Sequence, residues 1–469
     1  MSKNKAKGQI IEKVLVQELA DEGRCMAKHD GLVLFIENAA PGDLVDVQLK
    51  KKRSKHAIGE AIHFHSFSPQ RSIPFCAHFG TCGGCKWQHV NYDTQLYYKE
   101  KQVRDALTRI AKVNLPEIDP IIGSEKTQFY RNKLEFSFTN RKWLTWEEIK
   151  SGVEMDRRGV GFHVPGQFDK VLDLSECHLQ AEPSNSIRMA IREYALVHDL
   201  PFFDLKSQNG LLRNVMIRTT TLGETMILIQ FFENKKDEIE GLMNLLKAHF
   251  PKITSLYYVV NEKRNDTFLD QETVLYYGTP YISEDLDGLK FRISPKSFFQ
   301  TNSEQALVLY RIVMDFAELK GQELVYDLYC GTGTISTFLA RKAKKVIGIE
   351  YVENAVEDAR LNAEINQITN IHFVAGDMKK VLVPDFIAQH GKPNILVTDP
   401  PRAGMDKEVV ECILEIEPAK IVYVSSNAAT QARDLALLDE KYEVKKVQPV
   451  DMFPHTSHVE NVVLLQKRV

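Results

Sequence analysis

Three cysteines, Cys76, Cys82 and Cys85, fall in the stretch C-A-H-F-G-T-C-G-G-C with C-x5-C-x2-C spacing. The paired glycines Gly83 and Gly84 let the backbone fold tightly enough for nearby thiolates to converge. Three thiolates around a metal need a fourth ligand, and Cys177 in L-S-E-C-H-L is the candidate. Four Cys ligands hold either zinc or an iron–sulfur cluster. The spacing is not that of a zinc ribbon, and a distant fourth ligand suits a cluster embedded in a domain. His78, His89 and His178 flank the set and are read as surroundings.

A second chemical feature is I-V-Y-V-S-S-N, Ile421 to Asn427, an apolar run that ends in two hydroxyls and an amide. In an open α/β sheet, ligands bind at the carboxyl ends of the strands. Ser425 and Ser426 therefore stand either at a reacting position or as caps of the helix expected over 428–438. Upstream, the strand 325–328 runs into D-L-Y-C-G-T-G-T, and the next strand, 345–349, ends in Glu350. Gly331 and Gly333 let the loop pass close to a ligand, and an acid at the second strand tip can accept both ribose hydroxyls. The third glycine of a dinucleotide fingerprint would fall at Ser336, which disfavours a nicotinamide cofactor. An adenosyl ligand without pyrophosphate, S-adenosylmethionine, fits better. Asp377 in V-A-G-D and Asp399 in L-V-T-D-P-P-R-A-G mark two further strand ends. In D-M-F-P-H-T-S-H-V-E, His455, His458 and Glu460 are expected to converge, with Glu460 as a general base because an unpaired buried carboxylate is costly.

These groups need elements to hold them. The chain has 469 residues, which suggests two to three domains, and 43% of them are hydrophobic, enough for substantial cores. No apolar run is long enough to span a membrane, and the basic start M-S-K-N-K-A-K-G has no apolar segment behind it. A cytoplasmic protein is expected. Its seven cysteines then argue for metal or reactive thiols over disulfides. The net charge of −3 gives no general attraction for nucleic acid, so any RNA contact must be local.

Residues 1–67 carry short strand-like runs at 10–15, 32–36, 44–49 and 57–64, with Asp30-Gly31, Pro41-Gly42 and Gly59 as turn signals. This spacing suits a small β-barrel. Its last hairpin carries K-K-K-R-S-K, Lys50 to Lys55, a candidate RNA contact. Residues 68–285 read as an α+β middle domain containing the cysteines. Within it, a helix over 92–112 turns Leu96, Val103, Leu107 and Ile110 to one face and is expected to pack on the catalytic domain. Leu134, Phe136 and Phe138 alternate among Lys126, Arg131, Lys133, Arg141 and Lys142, a pattern compatible with base stacking and phosphate contact. From 286 to 469, strands alternate with helices, the signature of a doubly wound α/β sheet.

S-F-F-Q-T-N, D-L-Y-C-G-T-G, D-P-P-R-A-G, V-S-S-N-A-A-T-Q-A-R-D and D-M-F-P-H-T-S-H-V-E together resemble the RNA uracil-5-methyltransferases, across nearly the whole chain. The barrel resembles a TRAM domain, an OB-type RNA-binding module. Barrel plus cysteine set point, by this resemblance, to the branch that modifies 23S ribosomal RNA and carries a [4Fe-4S] cluster, the transfer-RNA branch usually lacking both. The resemblance implies a class I methyltransferase domain and an iron–sulfur central domain. Cys76, Cys82, Cys85 and Cys177 would be the cluster ligands. Gln300, Tyr329, Thr334, Glu350, Asp377 and Asp399 would contact S-adenosylmethionine, and Glu460 would be the base that removes the C5 proton. In such enzymes a cysteine adds to C6 of uracil. The family motif reads V-S-C-N-P, whereas this chain reads V-S-S-N-A, so Ser426 stands where the attacking thiol belongs. A non-catalytic RNA-binding relative and a transfer-RNA methyltransferase are the competing expectations; an iron–sulfur redox enzyme is disfavoured.

Overall fold

The structure, a computed structural model, describes residues 8–468. Most of the basic start of the chain thus lies outside the described residues. Among these, no helix is long and apolar enough to cross a membrane.

The amino-terminal unit is a six-stranded sheet. Its strands lie in the order Ile10–Leu15, Leu44–Lys52, His56–Ser66, Leu32–Glu37, Cys25–His29 and Glu18–Leu19. Contacts between the first strand and Cys25–His29 roll the sheet around Val14, Leu34, Ile36, Val45 and Val47. Cys25–His29 escapes a pattern reading because C-M-A-K-H contains no β-branched residue. Gly59 is not a turn: it lies inside His56–Ser66, where a Cβ would come within 2.5 Å of Val47 and 2.8 Å of the Gln48 carbonyl. Lys50 pairs with Glu37 and Glu60, which leaves Lys51, Lys52, Arg53 and Lys55 exposed at the hairpin tip.

The middle unit has a seven-stranded sheet. The order is Thr273–Gly278, Ser255–Val260, Thr225–Phe231, Leu212–Thr219, Lys133–Thr139, Gly159–Val164, Gln167–Asp173. Side chains alternate across it. Ile217, Ile227 and Ile229 join the core under helices Ser184–Val197 and Lys236–His249, while Met216, Met226 and Leu228 join the core of the carboxyl-terminal domain. Phe136 and Phe138 are buried in the first of these cores, so this strand offers no aromatic platform for bases. Lys126, Lys133 and Arg141 are paired with Glu304, Glu135 and Asp204. The hairpin Ile282–Leu286/Leu289–Ile293 spans the expected boundary at 285/286 and packs with Leu309 and Val313 of the carboxyl-terminal domain.

That last domain is a seven-stranded sheet. Numbered along the chain from Leu324–Leu328, its strands take the order 3-2-1-4-5-7-6. The first five are parallel, and the antiparallel seventh, Glu460–Lys467, inserts beside the fifth, Lys420–Ser425. Helix Tyr92–Ala106 of the middle region packs on helix Ala428–Leu438 of this domain. Its buried stripe is Gln95, Lys99, Val103 and then Leu107, so Val103 and Leu107 of the apolar set read from periodicity are buried while Leu96 is half-buried. Ile110 is exposed, because the helix ends in a π turn, Leu107–Ala111, which adds a residue per turn and rotates the following side chains off the face. Lys99 and Asp451 form an ion pair of 2.5 Å with both side chains fully out of water. Replacing Lys99 with methionine strands Asp451 as a buried charge and is expected to lower unfolding free energy by about 3–5 kcal/mol. Denaturant titration reads this directly; a loss under ~1 kcal/mol would mean that the pair is not the anchor described.

Candidate active site

A cavity of about 1150 Å³ opens where the carboxyl ends of the parallel strands meet the middle unit. It is lined by Gln300, Tyr329, Thr334, Glu350, Asp399, Ser426 and Glu460, seven of the residues singled out in the sequence. Asp377 is not on its wall. It sits after the third strand, where its carboxylate caps Met378–Val381 by accepting the Lys379 N–H at 3.1 Å. The size exceeds that of an ordinary small-molecule pocket and leaves room for a nucleoside beside a base.

The glycine loop is shaped by backbone demands. Tyr329, Gly331 and Gly333 all have positive φ, 61°, 54° and 76°. A Cβ on Gly333 would meet Phe373 at 2.7 Å, whereas Gly331 faces open space. Gly333 thus permits close packing of helix Thr334–Ala340, and Gly331 keeps the cavity wall low. Ser336, where a dinucleotide fold would carry its third glycine, donates to the buried Asp327 carboxylate at 2.5 Å. Glu350 receives one backbone N–H on each oxygen, from Gly331 at 3.0 Å and Val352 at 2.9 Å. That fixes the carboxylate while leaving lone pairs on both oxygens for a diol.

Asp399 and Glu460, also on the cavity wall, have no such backbone clamp. Burial pushes Asp399 up to about 7, and does the same to Asp327, which is off the wall and bonded to Ser336. Burial and then the neighbouring Asp399 push Glu460 up to about 8, against a lowering by Arg402. A cation bound here would relieve Asp399 and Glu460, so the cavity suits a sulfonium ligand.

Asn427 resolves the question of the two serines. It is the helix cap, its side chain accepting the Ala429 N–H at 3.1 Å. Ser425 is tied to Asn427 through two 3.1 Å bonds. Ser426 alone turns to the cavity, and among the described residues nothing hydrogen-bonds its hydroxyl. Asn427 and Thr430 donate to the Arg402 carbonyl at 3.0 and 3.1 Å, tying the serine loop to the Asp-Pro-Pro-Arg loop. Cys330 is no substitute nucleophile. Its thiol packs toward Gly348, and burial raises its pKa well above the ordinary value.

Of His455, His458 and Glu460, the last two line the cavity and His455 does not. His458 faces Arg402, with Nδ1 2.8 Å from the guanidinium. His455 is buried away from the cavity beside Gln95 and the ring of Phe75. Arg131, one of the cations read as a candidate RNA contact, lines the cavity over the ring of Phe453, and Tyr310, which had no sequence signal of its own, joins it from helix Ser303–Ala317.

Cys76, Cys82, Cys85 and Cys177 line one small cavity, with His178 at its edge. Burial, with a smaller contribution from neighbouring thiols, pushes Cys85 up to about 12 and Cys177 up to about 11. Four such thiolates persist together only with a cation between them. Arg188, buried beneath, donates to the Ser175 carbonyl and Asn185, and Asn185 receives the Cys177 N–H, so the fourth thiol is firmly held. Among the described residues the one group of His, Cys, Asp or Glu with ligand atoms all within 4.8 Å of one another is Asp46, His63 and His65. No three of the four sulfurs come that close.

Residues 212–468 match the family described as tRNA (Uracil-5-)-methyltransferase, and residues 5–62 match the TRAM domain. The chain belongs to the RNA uracil-5-methyltransferase family. It is 55% identical to a Bacteroides thetaiotaomicron protein described as an uncharacterized RNA methyltransferase, over 96% of this chain and 100% of the relative. A Chlorobaculum tepidum protein with a like description is 39% identical over 98% of this chain and 97% of its own. Among solved structures, the Pyrococcus abyssi tRNA (uracil-54, C5)-methyltransferase in complex with S-adenosyl-L-homocysteine superposes with a TM-score of 0.74 at 27% identity. That match covers 97% of this chain and 100% of the other. The family member described here is thus an S-adenosylmethionine-dependent RNA methyltransferase by kinship, with a class I domain and a TRAM domain.

The raised acid gives a pH signature. Between the ordinary carboxyl value of 4.5 and about 8, the unfolded chain has released the Glu460 proton while the folded chain keeps it. Stability contributed by this group is therefore lost progressively as pH rises through that window. Urea unfolding of the Glu460→Gln variant should show a stability advantage that widens from pH 5 to pH 8 and then levels. A constant difference from the parent across that range would contradict the burial of an ionisable group here.

Proposed function

We propose that the chain methylates C5 of a uridine in 23S ribosomal RNA, in the cytoplasm, with S-adenosylmethionine as methyl donor. The convergence of Glu350, Asp399, Ser426 and Glu460 on one cavity carries the reading. S-adenosylmethionine supplies the methyl group. Glu350 would hold the ribose hydroxyls, with Gln300, Tyr329, Thr334 and Asp399 around the rest of the ligand. Asp377 would contribute from the end of the third strand through the oxygen not used in capping. Ser426 Oγ would add to C6 of the uracil as its proton leaves to solvent, and C5 would take the methyl group as the donor departs as S-adenosylhomocysteine; Glu460, as carboxylate, would remove the C5 proton, and the bond from oxygen to C6 would break with the serine oxygen regaining a proton. The exposed cations Lys51, Lys52, Arg53 and Lys55 would meet the RNA backbone.

Transfer RNA is the second reading. It is favoured by the Pyrococcus abyssi structure, whose match runs through barrel, middle unit and catalytic domain alike. Domain composition therefore does not separate the two substrates. A direct assay does: the parent and Ser426→Cys proteins are incubated with a 23S fragment and with transfer RNA, and 5-methyluridine is quantified. We expect product on the ribosomal fragment, formed at least about tenfold faster by the cysteine form, since a thiol supplies thiolate at neutral pH and a hydroxyl needs a base. Product on transfer RNA alone would transfer the assignment to the second reading. No product from either protein would leave a non-catalytic RNA-binding relative.

We further propose that Cys76, Cys82, Cys85 and Cys177 hold a [4Fe-4S] cluster, supported by the four cysteines lining one small cavity. Anaerobically purified protein should be brown, with iron and acid-labile sulfide in equal amounts. Colourless protein holding a single zinc would overturn this assignment.

A further inference from the structure

Residues 451–459 lead into Glu460 without forming helix or strand. A buried backbone in that state must find its hydrogen bonds elsewhere. Five consecutive carbonyls do so, each from outside the segment. Gln305 Nε2 donates to Asp451 O at 2.8 Å and Asn302 Nδ2 to Met452 O at 3.0 Å. Lys99 Nζ donates to Phe453 O and the Tyr130 hydroxyl to Pro454 O, both at 3.0 Å. The Lys86 N–H donates to His455 O at 2.7 Å. Three of these five donors belong to the middle region, and Lys86 directly follows Cys85.

His455 is the strained point, a non-glycine residue at φ 65°. Such a conformation persists only when its surroundings over-determine it. Gln95, fully buried, accepts the His455 N–H on Oε1 at 2.8 Å and sets Nε2 3.1 Å from His455 Nδ1. The same Nε2 lies 3.0 Å from each of the Trp87 and Val90 carbonyls. One side chain thus clamps the backbone after the cysteine motif to the segment that delivers Glu460.

We propose that Gln95 is a positioning residue for the proton abstraction, acting through His455 on the placement of Glu460. The inference rests on the reading of Glu460 as the base. Gln95→Met keeps the volume and removes every polar contact; Gln95→Glu keeps the acceptor for the His455 N–H. Amide hydrogen exchange is read on all three proteins, together with release of label from C5-tritiated uridine RNA in the Ser426→Cys background. In Gln95→Met, exchange at 453–456 should rise about tenfold or more while 421–425 stays protected. The turnover number for label release should fall about tenfold with KM for S-adenosylmethionine within about twofold, and Gln95→Glu should recover part of both. Unchanged exchange at 453–456, or a rise spread evenly over the catalytic sheet, overturns the proposal. Label release that Glu460→Gln abolishes but Gln95→Met leaves intact also overturns it and spares the base assignment. If Glu460→Gln itself keeps releasing label, the base assignment fails and this inference fails with it.

Discussion

The ion pair between Lys99 and Asp451 is the joint on which the architecture turns. Both side chains are fully buried, and burial draws the Lys99 ammonium down while Asp451 pulls it up. Such a pair contributes little net stability, because desolvation offsets most of the attraction, yet losing one partner is costly. What it contributes is location. Asp451 also accepts the Tyr92 hydroxyl at 2.8 Å and the Phe453 N–H at 2.9 Å, so one carboxylate fixes a helix, a loop and the start of a catalytic segment together. A cysteine-bearing region and an α/β domain held only by apolar contact could slide. Held by a buried charge pair, they have one register.

The catalytic cavity applies the opposite arrangement. Asp399 and Glu460 are buried on its wall, with Arg402 only partly opposing the effect at Glu460, and each is pushed toward the neutral form. Asp451 has its ammonium; these two would suit a ligand's positive charge. Their cost is borne by the packing of the surrounding sheet, whose strands bury Val325, Val397, Val422 and Val462. Glu350, clamped by two backbone amides, belongs to neither class and serves as a fixed acceptor.

Strand ends were legible in the sequence because the physics behind them is local. An apolar run closing in an acid or a hydroxyl announces a sheet edge, and Glu350, Asp399, Ser426 and Glu460 all lie on the cavity. Long-range choices were not legible. Asp377 has the same sequence look but spends its carboxylate on a short helix. Phe136 and Phe138 look the same whether their face meets RNA or helices; only the second layer decides. The helix over 92–106 misled periodicity because its buried stripe carries Gln95 and Lys99, polar groups whose partners lie some 350 residues away in the chain. His455 and His458, three residues apart, separate because the positive φ at His455 turns the chain between them.

Ser426 brings these constraints together. The cap is supplied by Asn427, so the serine is not kept for helix stability. Its loop is tied to the Asp-Pro-Pro-Arg loop through the Arg402 carbonyl, so its position is held as firmly as an attacking residue requires. A hydroxyl far less acidic than a thiol must surrender its proton as it attacks, and none of the described residues is hydrogen-bonded to it. The acids nearest in function, Asp399 and Glu460, hold their own protons up to about 7 and about 8. A cationic ligand that lowers those values would make both carboxylates weaker bases at the moment the serine needs one. In the proposed reaction, the electrostatics that would suit methyl donation and later proton removal thus work against oxygen as the first nucleophile, and the addition to C6 is the step this scaffold would support least.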